Sequence, residues 1–548
     1  MRPSILAVLV VLAVAGPAIC AVPPAATASV SPDAVRAQSA TAPEIRAVYP
    51  NPATPNDAGE FLVVRMPAAT DVSGWRLRDD ESSARLPNRT LSGTVALSTD
   101  PEVARNLTDE RVVGLAGHLA LANGGETVRL VGNETVATVS YPDAPEGDRW
   151  HREGGDWVWE PLGATDFRVA DTGPANATAF VLPDAPEAAL DPLRNADDRL
   201  LVAGYTFGSA RVADALADAE RRGVDVRLLL DGAPVGGMTR RQARLLDSLV
   251  ARGVDVRVVG GPTARYDFHH PKYAVADDRA LVLTENWKPA GTGGRASRGW
   301  GVTLRNPEAA DALARVFEAD ADGRGAIAWS AFSEGRSFEP STPANGTFPA
   351  EIAPASVRVE STEVLVAPDN AESELVALLD AADESIRVQQ SAVGGRAQPF
   401  VRAALRAARR GVEVRLLVSN AWYVESENRA LVEWLNERAA AADLSLEARV
   451  ARPAGRYEKI HAKGVVVDGE AAAVGSLNWN NNSARDNREV VAVLRGEEVG
   501  GYYAAAFDRD WSASAPGGEP PAVGLIGAVA VGALAAILLA RREVTFER

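Results

Sequence analysis

Two stretches of this 548-residue chain repeat one spacing of three chemically active side chains: HPKYAVAD carries His270, Lys272 and Asp277, and HAKGVVVD carries His461, Lys463 and Asp468. Each reads H-x-K-x4-D. The repetition falls on scarce residue types, because the chain has five histidines, and its 57 lysines and arginines include four lysines (Lys272, Lys288, Lys459 and Lys463). An imidazole can attack or move a proton near neutral pH, and an ammonium group can hold an anionic oxygen. Residues two apart on a strand project to one face, so each His and its Lys would point together. One motif is half a site. Two such units packed about a pseudo-twofold axis would surround a phosphate-sized anion with two ammonium groups and two imidazoles. A phosphodiester fits that arrangement, and an enzyme is the leading reading. Asp277 and Asp468 fall at strand ends, where a carboxylate could orient an imidazole or pair with a cation.

The elements that must position these residues also occur twice. RLLVAGYTF, SARVADALADAERRG and VDVRLLLD read as strand, amphipathic helix and strand, and so do ESIRVQQSAV, QPFVRAALRAARRG and VEVRLLVS. Gly223 and Gly411 stand where each helix must end in a left-handed cap. A duplicated α/β unit accounts for the pattern, with halves at 188–328 and 356–512 and a Ser/Pro/Gly-rich linker between them. Upstream, residues 43–145 alternate in short runs such as EFLVVRM and ETVRLVG, which predicts an immunoglobulin-like β-sandwich. A Trp-rich connector (Trp150, Trp157, Trp159) follows it.

The ends read as targeting segments. Residues 1–21 fit a secretory signal peptide. The uncharged apolar run 522–540, followed by Arg541 and Arg542, has the length of a transmembrane helix. Together they predict a single-pass protein of the cell membrane, with the bulk of the chain extracellular and a short cytoplasmic C-terminus. The lone Cys20 excludes disulfides from the mature domains. Sequons begin at Asn88, Asn106, Asn133, Asn176, Asn345 and Asn481, so an exported chain could be glycosylated. The net charge of -16, with arginine in place of lysine, resembles proteins of salt-loving archaea, in which excess acid maintains solubility.

Each motif is followed by an Asn-Trp pair, Asn286 with Trp287 and Asn478 with Trp479, and the second half adds Gly475, Ser476, Asn487 and Glu489. Over roughly 188–512 the chain resembles the phospholipase D superfamily. The resemblance implies phosphoryl transfer through a phosphohistidine, without metal or cofactor. By analogy His270 would attack phosphorus and His461 would serve as acid and base, with the reverse assignment left open. Lys272, Lys463, Asn286, Asn478, Ser476 and Thr284 would hold the phosphate oxygens, Glu489 would support the site, and Asp277 and Asp468 would orient its groups. The first half departs from the pattern: Leu283 and Thr284 stand where Gly and Ser are usual, and Trp300 falls near the expected Glu, which removes an orienting carboxylate. EIRAVYPNP, GEFLVVR, SGWRLRDD and LALANGGETVRLVG look like a lamin-tail domain. A phospholipid substrate at the membrane is favoured. An extracellular nuclease, using basic clusters such as Arg240, Arg241 and Arg244, is the rival enzyme, and a catalytically weak surface adhesion protein is the reading from another class.

Overall fold

A computed structural model describes residues 42–515. The signal-peptide segment and the apolar run 522–540 lie outside the described residues. Among the described residues no helix is long and apolar enough to cross a membrane. The expected architecture is corrected accordingly: the described residues form a β-sandwich and two paired α/β halves, and the expected transmembrane helix is not among them.

Alternation of apolar and polar residues produces the sandwich. A sheet of six strands (44–49, 61–71, 90–98, 111–114, 148–153 and 156–161) faces one of five (76–78, 83–85, 116–118, 126–131 and 135–141). Its core is Val48, Leu62, Val64, Leu77, Val95, Val128 and Leu130. The Trp-rich segment read as a connector is instead a hairpin, with Trp150 opposite Trp159 and Val48. Trp150 and Trp159 lie 4.9 Å apart between ring centres and pack against the core.

The two halves share one topology. In the first, strands run in the order 255–259, 225–231, 199–204, 273–276, 279–283, 297–305 and 175–182; in the second, 446–450, 413–418, 385–390, 463–467, 471–475, 489–495 and 361–367. The first three of each set are parallel, because helical crossovers join them; the rest are antiparallel. Gly223 and Gly411 end the first crossover helices at φ 96° and 98°, the region glycine enters without penalty. Helices Ala210–Arg222 and Arg240–Val250 cover the outer face of one sheet, and Pro399–Arg410 and Glu425–Ala442 that of the other. Helices Pro307–Ala321 and Glu497–Ala513 lie in a core shared by both halves.

Each half also lends a strand to the other. Residues 170–172, which precede the first half, pair with 361–367 in the second sheet, and 355–359, at the start of the second half, pair with 175–182 in the first. The strands that carry the motifs are reached from opposite sides: the His270 N–H donates to the Arg488 carbonyl at 3.0 Å, and the His461 N–H to the Arg298 carbonyl at 2.9 Å. The backbone on which each histidine rides is therefore held by the opposite half.

Candidate active site

The register of the sheets equates the halves residue by residue. Leu283 pairs with Gly301 as Gly475 pairs with Val491, so Thr284 matches Ser476, Glu285 matches Leu477, Asn286 matches Asn478, Gly299 matches Glu489 and Trp300 matches Val490. Trp300 does not occupy the position of the missing acid, as expected from sequence; Gly299 does. Trp300 turns into the shared core, donates its ring N–H to Gln389 Oε1 at 2.7 Å and covers Gly464 of the other half.

The structure brings His270, Lys272, His461 and Lys463 together with two buried glutamates. His270 Nδ1 lies 2.8 and 2.9 Å from the carboxylate oxygens of Glu489. His461 Nδ1 lies 3.3 Å from Glu285 Oε2, an ion-pair distance without a formed hydrogen bond. Glu285 and Glu489 are 1% and 0% exposed, whereas the two imidazoles keep 11% and 18% exposure. With Nδ1 turned to an acid, each ring presents Nε2 to a ligand. The ammonium groups of Lys272 and Lys463 donate to the carbonyls of their own motif histidines, His270 and His461. Tyr205 sets its ring edge-to-face with His270, 4.6 Å between centres, and lies under the Lys272 ammonium.

Burial governs the electrostatics of the site. It pushes His270 down to about 4, against the opposing pull of Glu489, with Lys272 and Lys463 lowering it further. Burial also holds His461 well below its ordinary value, reinforced by all four lysines of the chain. Glu285 is raised to about 7 by burial, although the same four lysines favour its charge. Burial lowers Lys463 to about 8 and Lys272 well below the usual lysine range. Both imidazoles are thus neutral at neutral pH.

Other expected site residues take different places. The Asp277 carboxylate accepts the backbone N–H groups of Asp197, Asp198 and Arg199, and Asp468 those of Asp383, Glu384 and Ser385. Both sit at the far end of the motif strands from the histidines, at φ 55° and 54°, and pin the chain where the next sheet strand begins. The hydroxyl of Ser476 accepts the Val490 N–H at 3.0 Å, and that of Thr284 the Trp300 N–H at 2.9 Å. Both hydroxyls are buried and link neighbouring strands. Asn286 and Asn478 are different, since their side-chain oxygens are buried without a partner in the protein. Arg240 and Arg241, considered for nucleic acid, donate to the carbonyls of Phe338 and Gly208.

Glu285 is the site residue that the motif reading missed. Its signal was the acid in TENW, at a position where the second half has Leu477.

Comparison with known proteins agrees with this geometry. Residues 190–321 and 375–511 match the family model "Cardiolipin synthase, PLD-like domain". The chain is 38% identical over 118 residues to cardiolipin synthase A of Pseudomonas aeruginosa, covering 21% of this chain and 22% of that protein. It therefore spans about a fifth of the length of the curated relatives it matches. Among solved structures, phosphatidylserine synthase of Haemophilus influenzae Rd KW20 aligns with a TM-score of 0.45 and 12% identity, over 62% of this chain and 87% of that one. The phospholipase D family member Nuc of Salmonella typhimurium aligns with a TM-score of 0.25 and 19% identity, over 28% and 98%. With the motif present twice and the family model matched in both halves, the chain belongs to the phospholipase D superfamily.

Proposed function

We propose that this protein is a phosphodiesterase that acts on phospholipid through a phosphohistidine, with His270 as nucleophile and His461 as general acid and base. The observation that carries the reading is the pair of imidazoles, each with Nδ1 on a buried glutamate, between Lys272 and Lys463. Neutral His270 Nε2 attacks phosphorus; the P–N bond forms, the P–O bond to the leaving alcohol breaks, and His461 Nε2 supplies the proton that this oxygen takes up. Water or a second alcohol then gives its proton to His461 while its oxygen displaces His270 from phosphorus. Burial holds both imidazoles neutral at neutral pH, so the order is supported by the acid beside His461 rather than by the rings themselves. Glu285, raised to about 7, can keep a proton beside His461 when an anionic substrate enters and raises the imidazole's affinity for it. The lysines meet the charge that develops on the non-bridging oxygens.

Support for phospholipid comes from the name of the matched family and from the cardiolipin synthase relative. Trp422 and Tyr423 add to it: they are 64% and 41% exposed, in the loop beside Lys459, whose ammonium lies 4.9 Å from the Tyr423 ring centre. Exposed aromatic rings next to a cation suit the boundary between water and lipid headgroups.

The test is a substrate panel of anionic phospholipid vesicles, single-stranded DNA and a chromogenic phosphodiester, with and without EDTA. Phospholipid turnover that EDTA leaves intact is expected. His461→Asn should accumulate on His270 the phosphoryl group with its remaining ester, seen as an acid-labile mass increment on its peptide, and His270→Asn should show none. A label on His461 instead would reverse the roles, and DNA as the preferred substrate would overturn the lipid reading.

A further inference from the structure

The missing acid of the first half leaves a defined vacancy in its sheet. At the register position of Glu489 the first half has Gly299, and no carboxylate can reach His461 from there. The space is nevertheless filled. A Cβ built on Gly299 would lie 2.2 Å from Glu285 Cγ, and one built on Gly291 would lie 2.6 Å from Glu285 Oε2. Glu285 thus threads between two glycines whose bare Cα atoms make its path. In the second half the roles are exchanged: the acid stands on the strand as Glu489, and the position matching Glu285 is the buried apolar Leu477. The pairs Glu285/Gly299 and Leu477/Glu489 hold the same two elements, one acid and one non-acid, in opposite order.

We infer that Glu285 is the positioning residue for His461, and that the carboxylate of the first half has moved from the strand position of Gly299 to the loop position 285 with its function kept. Glu285 holds the His461 ring by Nδ1 so that Nε2 faces the leaving oxygen, and it stabilises the imidazolium during each proton transfer. Glu285 Oε1 and His461 Nδ1 are both buried without a hydrogen-bond partner, and Oε2 lies 3.3 Å from Nδ1, so no competing structural hydrogen bond explains why the acid is there. Burying a carboxylate at 1% exposure costs stability, which a purely structural residue at this place would avoid. The first half is thus catalytically complete, and its departures from the family pattern compensate one another.

The inference rests on the proposed role of His461, and the experiment separates the two. Glu285→Gln and Glu285→Leu should lower kcat on the phosphodiester substrate by roughly 10²- to 10⁴-fold, the range of a disabled proton-transfer group, with KM changed much less. Glu285→Leu/Gly299→Glu places the acid as in the second half and should recover at least tenfold of the loss. In the same proteins, NMR titration of the His461 ring should show a lower pKa in Glu285→Gln and recovery in the double variant. Thermal unfolding identifies any variant that has not folded. Glu285→Gln within threefold of the parent kcat, with His461 titrating unchanged, would overturn the inference, as would a folded double variant no better than Glu285→Leu. If the parent protein turns over no phosphodiester, the functional reading falls, and the NMR titration still decides whether Glu285 governs His461.

Discussion

At the scale of single residues, the chain separates two jobs that the motif runs together. His270 and Lys272 sit at one end of a strand and face the site, while Asp277 at the other end ties down three backbone N–H groups. Asp277→Ala should therefore cost stability rather than chemistry: losing charge-assisted bonds to backbone amides is worth about 1–3 kcal/mol in denaturant unfolding, with kcat of the folded protein within a few-fold of the parent. A large loss of kcat at full stability would restore Asp277 to the catalytic group. The buried histidines carry a pH consequence. His270 titrates near 4 when folded against about 6.5 when unfolded, so between these values the unfolded chain binds the extra proton. Stability contributed by neutral His270 is complete above about pH 6.5 and is lost as pH falls toward 4, on the order of 3 kcal/mol. His270→Gln should flatten that part of the stability profile. The His and Lys pairs were legible from type and spacing alone. Glu285 was not, because its role depends on which residue of a strand fourteen positions later lies beside it, and register is set by pairing across the sheet.

At the scale of elements, size as well as charge is traded between equivalent positions. Leu283 faces Gly301 across the first sheet, and Gly475 faces Val491 across the second. The large and small members are exchanged, so Leu283, read from sequence as a departure, is matched by the glycine opposite. Trp300 similarly fills space over Gly464, where an added Cβ would lie 2.2 Å from its ring. Trp300 is wholly buried, stacked on Tyr503 at 4.7 Å, and its ring N–H is committed to Gln389, so it cannot retreat cheaply. Gly464→Ala should destabilise the protein by about 1–3 kcal/mol, the usual cost of overpacking a filled core. The effect should appear in the single unfolding transition of the paired halves, since the contact crosses between them. Hydrophobic runs and helix-capping glycines made the strands and helices legible in each half. The facing of one sheet on the other was not, because a valine or alanine strand buried on both faces bears no mark of its partner.

At the scale of the whole molecule, the two halves are tied by a pair of crossed ion clusters. Arg298 of the first half reaches Asp184 at 2.5 Å and Asp510 of the second at 2.9 Å; Arg488 of the second half reaches Asp369 at 2.9 Å and Asp320 of the first at 3.0 Å. Both guanidinium groups are essentially unexposed, so removing one partner leaves a charge without solvent, at a cost of about 3–5 kcal/mol. The exchanged strands 170–172 and 355–359 add a second tie, because each has its ladder partner only in the other half's sheet. Consider a cut after Thr342, in the exposed linker. The N-terminal piece keeps Arg298, Asp320 and strand 170–172 but loses Asp510, Arg488 and strand 361–367. The C-terminal piece keeps strand 355–359 and loses its partner. The cut breaks Arg298–Asp510 and Arg488–Asp320, orphans two strands and opens the apolar core shared by the halves to water, a large loss against whole-domain stabilities of about 5–15 kcal/mol. Neither piece should give a cooperative unfolding transition for its α/β part by itself. Expressed together they should co-purify as one complex and regain the proposed phosphodiesterase activity, since each histidine backbone is anchored by a carbonyl of the other piece and each imidazole lies on an acid: His270 on Glu489 across the cut, His461 on Glu285 across it in the opposite sense. Cooperative folding of either α/β half alone would show that the crossed clusters dock domains already formed rather than complete them.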